Sequence, residues 1–172
     1  MLEKEIQTYI QRAKEHDPDA FTDLMQFYMK DMYRTAIAIL MNDADSADAI
    51  QDTLLACWEK MDTIREPRYF KTWLTKILIR KCYDIRKQQA NRVSFEDWQE
   101  ESSCDSYNVE LKEALAALED KYRLPMILFY GQGYRIREIA GILHIPVSTV
   151  QTRLARGRKK LAAYYENGGI RP

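Results

Sequence analysis

Between Tyr134 and Leu161, two short apolar stripes of helical period meet at a break that neither can cross. His144-Ile145-Pro146 forms that break. Pro146 has no amide hydrogen to continue a helix, and it biases Ile145 away from helical angles. The chain must turn sharply here. Two short helices joined so tightly cross near a right angle, as in a helix-turn-helix. The crossing needs a small residue on the first helix, which Ala140 supplies. Ile139, Leu143, Ile145, Val150 and Leu154 have the spacing to hold the angle from both sides. Ser148 or Thr149 is expected to cap the second helix.

That second helix exposes Ser148, Thr149, Gln151, Thr152, Ala155 and Arg156. Arginine suits guanine, glutamine suits adenine, and small hydroxyls suit either bases or phosphates. Arg153, Arg158, Lys159 and Lys160 add attraction for a phosphate backbone. The competing reading is an ordinary helical hairpin with a basic surface. Apolar spacing, turn chemistry and charge all favour DNA binding.

The rest of the chain also reads as helix. Glycine (6) and proline (5) are scarce among 172 residues, and strand-like alternation is hard to find. Residues 1–14 place Ile6, Tyr9, Ile10 and Ala13 on one face. Asp17-Pro18 offers an N-cap followed by proline at the first helical position, opening a helix expected to reach about Leu40. After a break at 42–45, Asp45 and Asp48 have the reach of a capping box. Ile50, Leu54, Trp58 and Met61 mark one face of the helix that follows. Glu66-Pro67 opens another, striped by Phe70, Trp73, Leu74, Ile77, Leu78, Cys82 and Ile85. Residues 88–107 lose this period and read as an acidic interdomain linker. Val109, Leu111, Leu115 and Leu118 then begin a second helical unit, with a turn near Glu119-Asp120. Gly131-Gln132-Gly133 ends the apolar helix around 125–130.

A formal net charge of zero hides strong segregation. Residues 1–64 carry 6 basic and 13 acidic side chains, net −7, and residues 93–120 carry 1 and 9, net −8. Residues 65–92 carry 9 basic and 2 acidic, net +7, and residues 134–165 carry 7 and 1, net +6. Two basic blocks separated by an acidic one suggest two polyanion contacts, although solvated helix faces give the same pattern. In the first basic block Tyr69, Phe70, Trp73 and Tyr83 sit among cations, a combination that can stack unpaired bases. Phe70 and Trp73 fit the core better, which leaves Tyr69 and the cations as contact candidates.

Other chemistries find little support. Cys57, Cys82 and Cys104 form no CxxC pair, and His16 and His144 lie far from them in sequence. Zinc-ligand spacing is absent, and a reduced, cytoplasmic chain fits best. No cofactor is expected. The N-terminus lacks an apolar signal segment, and no apolar run approaches the roughly 20 residues of a membrane span. Asp43, Asp45, Asp48 and Asp52 form the best carboxylate cluster, which a metal-dependent nuclease could use. Capping and a partner-facing surface explain it more simply.

Several motifs occur together and in order: DADSADAIQDTLLACWEKMDTI at 43–64, YFKTWLTKILIRKCYDIRK at 69–87, ALAALEDKYRLPMILFY at 114–130, and the unit at 134–161. In this the chain resembles bacterial RNA polymerase sigma factors of the extracytoplasmic-function type, sigma-70 group 4. The resemblance implies an all-α fold of two small helical domains joined by a flexible acidic linker. A region 2-like domain would span 1–87, the linker 88–107, a region 4-like domain 108–166 and a tail 167–172. It implies no enzymatic activity. Asp48, Gln51, Asp52 and Leu55 would dock on the clamp of the polymerase's largest subunit. Arg65, Arg68, Tyr69, Lys76, Arg80, Tyr83, Arg86 and Lys87 would serve the −10 element, with 62–69 receiving a flipped base and Arg80, Asp84 and Arg86 on the melting helix. Ser148, Thr149, Gln151, Thr152, Arg153, Ala155, Arg156 and Lys159 would read or hold the −35 element. The implied partners are core polymerase, including the flap of its second-largest subunit, promoter DNA and an anti-sigma factor. The free chain would be a monomer outside the membrane.

Three positions depart from the family pattern. His144 and Ser148 replace frequent glycines, and Arg80 replaces a common asparagine, so no promoter consensus carries over. Histidine tolerates left-handed angles better than most residues, so the turn is expected to survive. A conventional helix-turn-helix regulator is the main alternative. It would bind duplex DNA tightly without polymerase, as a dimer on paired half-sites.

Overall fold

A computed structural model describes residues 3–92 and 106–168, and every regular element in them is helical. Helix α1 spans Glu3–Lys14 and α2 Pro18–Leu40. Between them Asp17 caps α2, its carboxylate accepting from the amides of Asp19 (3.0 Å) and Ala20 (3.1 Å), with Pro18 in the first turn as the sequence implies. Met41, at φ 52°, closes α2 at the expected place.

Helix α3 spans Asp43–Lys60. It begins earlier than the Asp45–Asp48 pair implies. Asn42 is the cap, and its side-chain oxygen accepts from the Asp45 amide at 2.9 Å. Asparagine directly before the first turn satisfies that amide, which places Asp45 inside the helix. Asn42→Ala is expected to cost about 1 kcal/mol of stability. Thermal unfolding followed by circular dichroism checks this, and an unchanged midpoint would assign the start of α3 to other forces.

Two short 3₁₀ turns, Met61–Thr63 and Pro67–Tyr69, lead into α4, Phe70–Arg92. Helix α4 carries 88–92, which the loss of apolar period assigned to a linker. Polar side chains at those positions are solvated on a helix as readily as in a coil, so composition does not distinguish the two. The remaining linker residues up to 105 lie outside the described residues, and α5, Ser106–Ala116, begins directly after them. Helix α6 spans Asp120–Met126 and widens into a π turn at Ile127–Gly131. Pro125 sits inside α6 and can donate no backbone hydrogen bond there. Gly133, at φ 73°, supplies the left-handed step that ends the segment.

Helix α2 is the organising element. It packs against α1, α3 and α4 on some sides and against α6 and the π turn on others. Leu24, Tyr28, Met32, Cys57, Met61, Phe70, Leu74, Leu78 and Cys82 form the centre of the first unit. The same cluster continues into Tyr122, Leu128, Tyr134, Ile139, Val150 and Leu154. The halves therefore share one apolar core. Phe70 is buried, and Trp73 packs partly buried with its ring 5.8 Å from that of Phe70, so both serve the core. Cys57 and Cys82 are free thiols, and burial pushes both up to about 12. Among the described residues no helix is long and apolar enough to cross a membrane.

Candidate nucleic-acid interface

Helices α7, Ile136–Leu143, and α8, Val147–Glu166, form the helix-turn-helix. The side chain of Glu138 accepts from the Arg135 amide at 2.7 Å and fixes the start of α7. His144 takes the left-handed angles φ 54° and ψ 44°, so the turn survives without glycine. Ile139, Val150 and Leu154 are buried in the crossing, as their spacing predicts. Leu143 and Ile145 are only partly buried, and Ile142, which the sequence reading passed over, is buried instead.

Pro146 occupies the N-cap of α8, and no side chain caps it. Ser148 and Thr149 lie within the first turn, contrary to the expected capping role. The Pro146 carbonyl already accepts from Thr149 (3.0 Å) and Val150 (3.2 Å), so the helix starts ahead of both hydroxyls. Their side chains are left for the outer face. Ser148, Gln151, Thr152, Ala155, Arg156 and Lys159 are exposed, and Thr149 and Arg153 are half-buried. Two of the expected phosphate cations are engaged elsewhere. Arg158 donates to the Tyr130 hydroxyl at 2.9 Å, and Lys160 pairs with Glu119 at 2.8 Å. Both tie α8 to the preceding helical segment.

The second basic surface lies on α4 and the turn before it. Arg65, Arg68, Tyr69, Lys76, Arg80, Tyr83, Arg86 and Lys87 are all exposed. Arg68 lies over the Tyr69 ring at 4.8 Å and sits 3.4 Å from Glu66. Lys76, Arg80 and Tyr83 line one wall of a cleft of about 410 Å³, and His144, Ile145 and Arg153 line the other. Arg86 forms an ion pair with Asp120 across the two halves. The structure thus brings part of the α4 surface against the helix-turn-helix and leaves Arg65, Arg68 and Tyr69 apart from it.

On α3, Asp48, Gln51, Asp52 and Leu55 form one exposed stripe at helical spacing, with Leu55 61% exposed. Asp45, Asp48, Gln51 and Asp52 face Gln88 and Gln89 across a cavity of about 310 Å³, and Gln89 donates to Asp45 at 2.5 Å. Among the described residues no cluster of three or more His, Cys, Asp or Glu side chains could hold a metal ion. A third surface is an apolar groove of about 340 Å³ between α5, the π turn and α8, lined by Leu111, Leu115, Leu118, Ile127, Tyr130 and Leu161 among others. From sequence its residues were placed on helices, with no surface assigned to them.

Fold and surfaces together define a two-part helical protein with a helix-turn-helix in its second half. The family described as Sigma-70 region 2 matches residues 24–92, and that described as Sigma-70, region 4 matches residues 108–161. The RNA polymerase sigma factor SigV of Bacillus subtilis (strain 168) is 33% identical over 137 residues, covering 77% of this chain and 82% of that protein. The ECF RNA polymerase sigma factor SigW of the same strain is 30% identical over 180 residues, covering 93% and 96%. The structure of CnrH in complex with the cytosolic domain of CnrY has a TM-score of 0.70 at 24% identity, covering 94% of this chain and 97% of that one. The sigma factor RpoE of Bartonella quintana, solved with the anti-sigma factor NepR, has a TM-score of 0.67 at 22% identity, covering 84% and 97%. The chain belongs to the extracytoplasmic-function sigma factors of the sigma-70 family, which direct transcription initiation at promoters.

Proposed function

We propose that the chain joins core RNA polymerase through the α3 stripe, reads the −35 element with α8, and captures and melts the −10 element with α4 and the turn before it. The observation that carries this reading is the presence of three unlike surfaces on one small chain: an acidic stripe, a basic-aromatic helix and a helix-turn-helix. In this assignment Asp48, Gln51, Asp52 and Leu55 meet the clamp of the largest subunit. Arg65, Arg68, Tyr69, Lys76, Arg80, Tyr83, Arg86 and Lys87 meet the −10 region, where Tyr69, 56% exposed beside Arg68, suits a ring that stacks a flipped base. Ser148, Thr149, Gln151, Thr152, Arg153, Ala155, Arg156 and Lys159 meet the −35 region. The apolar groove suits the flap of the second-largest subunit. The first unit runs to the end of α4 at 92 and the second from α5 to 166. Regulation is by an anti-sigma factor, a reading supported by the similar fold of RpoE, which was solved bound to the anti-sigma factor NepR. The chain works in the cytoplasm and is a monomer when free.

Run-off transcription with purified core enzyme and the DNA upstream of the chain's own gene tests this. A discrete transcript that depends on the protein is expected. Loss of both transcript and core binding would favour the conventional regulator. Arg156→Ala is expected to weaken promoter-specific binding of the holoenzyme by about 1–3 kcal/mol if its guanidinium grips a base edge. Competition between promoter and non-promoter DNA at fixed salt measures it. Equal loss on both would reassign Arg156 to the phosphates.

A further inference from the structure

The segment between the two 3₁₀ turns is tied to α1. Arg65, Glu66, Arg68 and Tyr69 are exposed, while Ile64 and Phe70, 5% and 1% exposed, anchor the segment at its two ends. Ile64 leaves the first turn in an extended conformation, with ψ 113°, so its carbonyl is free to accept from elsewhere. Lys14 Nζ donates to that carbonyl at 2.7 Å, across 50 positions of sequence. Lys14 is the last residue of α1 and is half-buried. A lysine at a helix C-terminus ordinarily serves the last carbonyls of its own helix. This one reaches the loop instead, and α1 packs against both 3₁₀ turns. The end of α1 is itself fixed. Ile10 and Ala13 are fully buried. Arg12 pairs with Asp17 at 2.6 Å, and Asp17 caps α2. His16, at φ 60°, sets its ring in a T-shaped contact with Trp58 of α3 at 5.3 Å.

Within the segment, the Ile64 amide donates to the Met61 carbonyl at 3.4 Å and the Tyr69 amide to the Glu66 carbonyl at 3.0 Å. Each turn closes on itself, and neither bond spans Arg65. The setting of one turn against the other is therefore left to the two buried anchors and to Lys14. A hydrogen bond from an ammonium is charge-assisted and stronger than a neutral one. It acts here on the residue through which the exposed loop leaves the core. We propose that Lys14 is a positioning residue for base capture. Through the Ile64 carbonyl its ammonium sets the loop so that Tyr69, with Arg68 over its ring, stands ready for an unpaired base. A loop ordered in advance loses less freedom when a base stacks on it, so the benefit appears in the affinity for single strand. Lys14 itself touches no base. The inference rests on the −10 reading above.

The test compares holoenzyme binding to two promoter DNAs: a fork whose −10 non-template strand is unpaired, and a duplex that ends upstream of the −10 element. Lys14→Met removes the ammonium and keeps the stem. It is expected to weaken fork binding on the order of tenfold, within what one base stacked on an aromatic ring contributes. Binding to core enzyme and to the upstream duplex should not change. Lys14→Arg still donates and is expected to restore most of the loss. In a Tyr69→Ala background, itself weak on the fork, Lys14→Met should add little, because both act on one step. In the free chain, Lys14→Met should speed hydrogen exchange at 64–69 with helical content unchanged. Lys14→Gln, too short to span the same distance, takes its place should Lys14→Met lose helix. An equal loss with and without Tyr69, together with a shallower salt dependence, would make Lys14 a direct phosphate contact and overturn the proposal. A Tyr69→Ala variant that holds the fork like wild type would overturn the −10 reading and this inference with it. A weakened Tyr69→Ala beside an unaffected Lys14→Met would overturn this inference alone.

Discussion

Truncation of Leu154 to alanine is expected to cost about 2–5 kcal/mol of folding stability and to remove promoter recognition with it. Leu154 is 1% exposed and closes the crossing of α7 and α8 beside Ile139, Ile142 and Val150. Its removal leaves a cavity that rigid neighbours fill only in part. One turn earlier in the same helix, Gln151 is exposed and can be changed at little cost, within about 0.5 kcal/mol. Urea unfolding separates the two cases. A Leu154→Ala midpoint within error of wild type would mean that the crossing angle is held by other contacts. Because Leu154 belongs to the cluster that reaches α2, its loss should loosen the whole molecule and shift a single transition.

The second large effect concerns polymerase. Asp52→Arg is expected to weaken core binding by several kcal/mol, the order of cost when like charges are forced together at an interface. An acidic stripe formed by Asp48 and Asp52 calls for a basic partner surface, and the reversal opposes it. Asp52 is exposed, while the inward face of α3 is carried by Ala49, Ile50, Thr53, Ala56 and Cys57. The fold should therefore be untouched. A fluorescence titration against core enzyme, with circular dichroism as control, measures the change. Unchanged affinity would remove the clamp assignment from α3.

Local chemistry proved readable where one residue type has one use. Asp17-Pro18 announces the start of α2, and His144 could be expected to hold a left-handed turn. Helical period placed the core faces of α1 and α4. Reading failed where two residues compete for one role. Asn42 and Asp45 both suit a cap, and only the backbone position decides between them. Ile142 and Leu143 both suit the crossing, and the rotation of α7 buries the first. The end of α4 was hidden because polar residues at 88–92 carry no period to follow.

The joining of the two halves was beyond sequence reasoning for a different reason. Gln132 lies between two glycines and looks like turn punctuation. Its partners at Asp31 and Thr35 are about a hundred positions away. Nothing local marks such a contact, since its donor and acceptors meet only after both helical units have formed. The site stripes on α3 and α8 were legible because each lies on one helix, whereas the cleft between α4 and α7–α8 is a property of the whole molecule.

The buried thiols of Cys57 and Cys82 have a practical consequence. The thiolate is the reactive form, and at about 12 almost none is present near neutral pH. Alkylating reagents and mild oxidants can reach these two sulfurs, one on α3 and one on α4, only when the core around them opens. Their rate of modification is therefore a clock for that opening, reporting from inside the half of the protein that carries the clamp stripe.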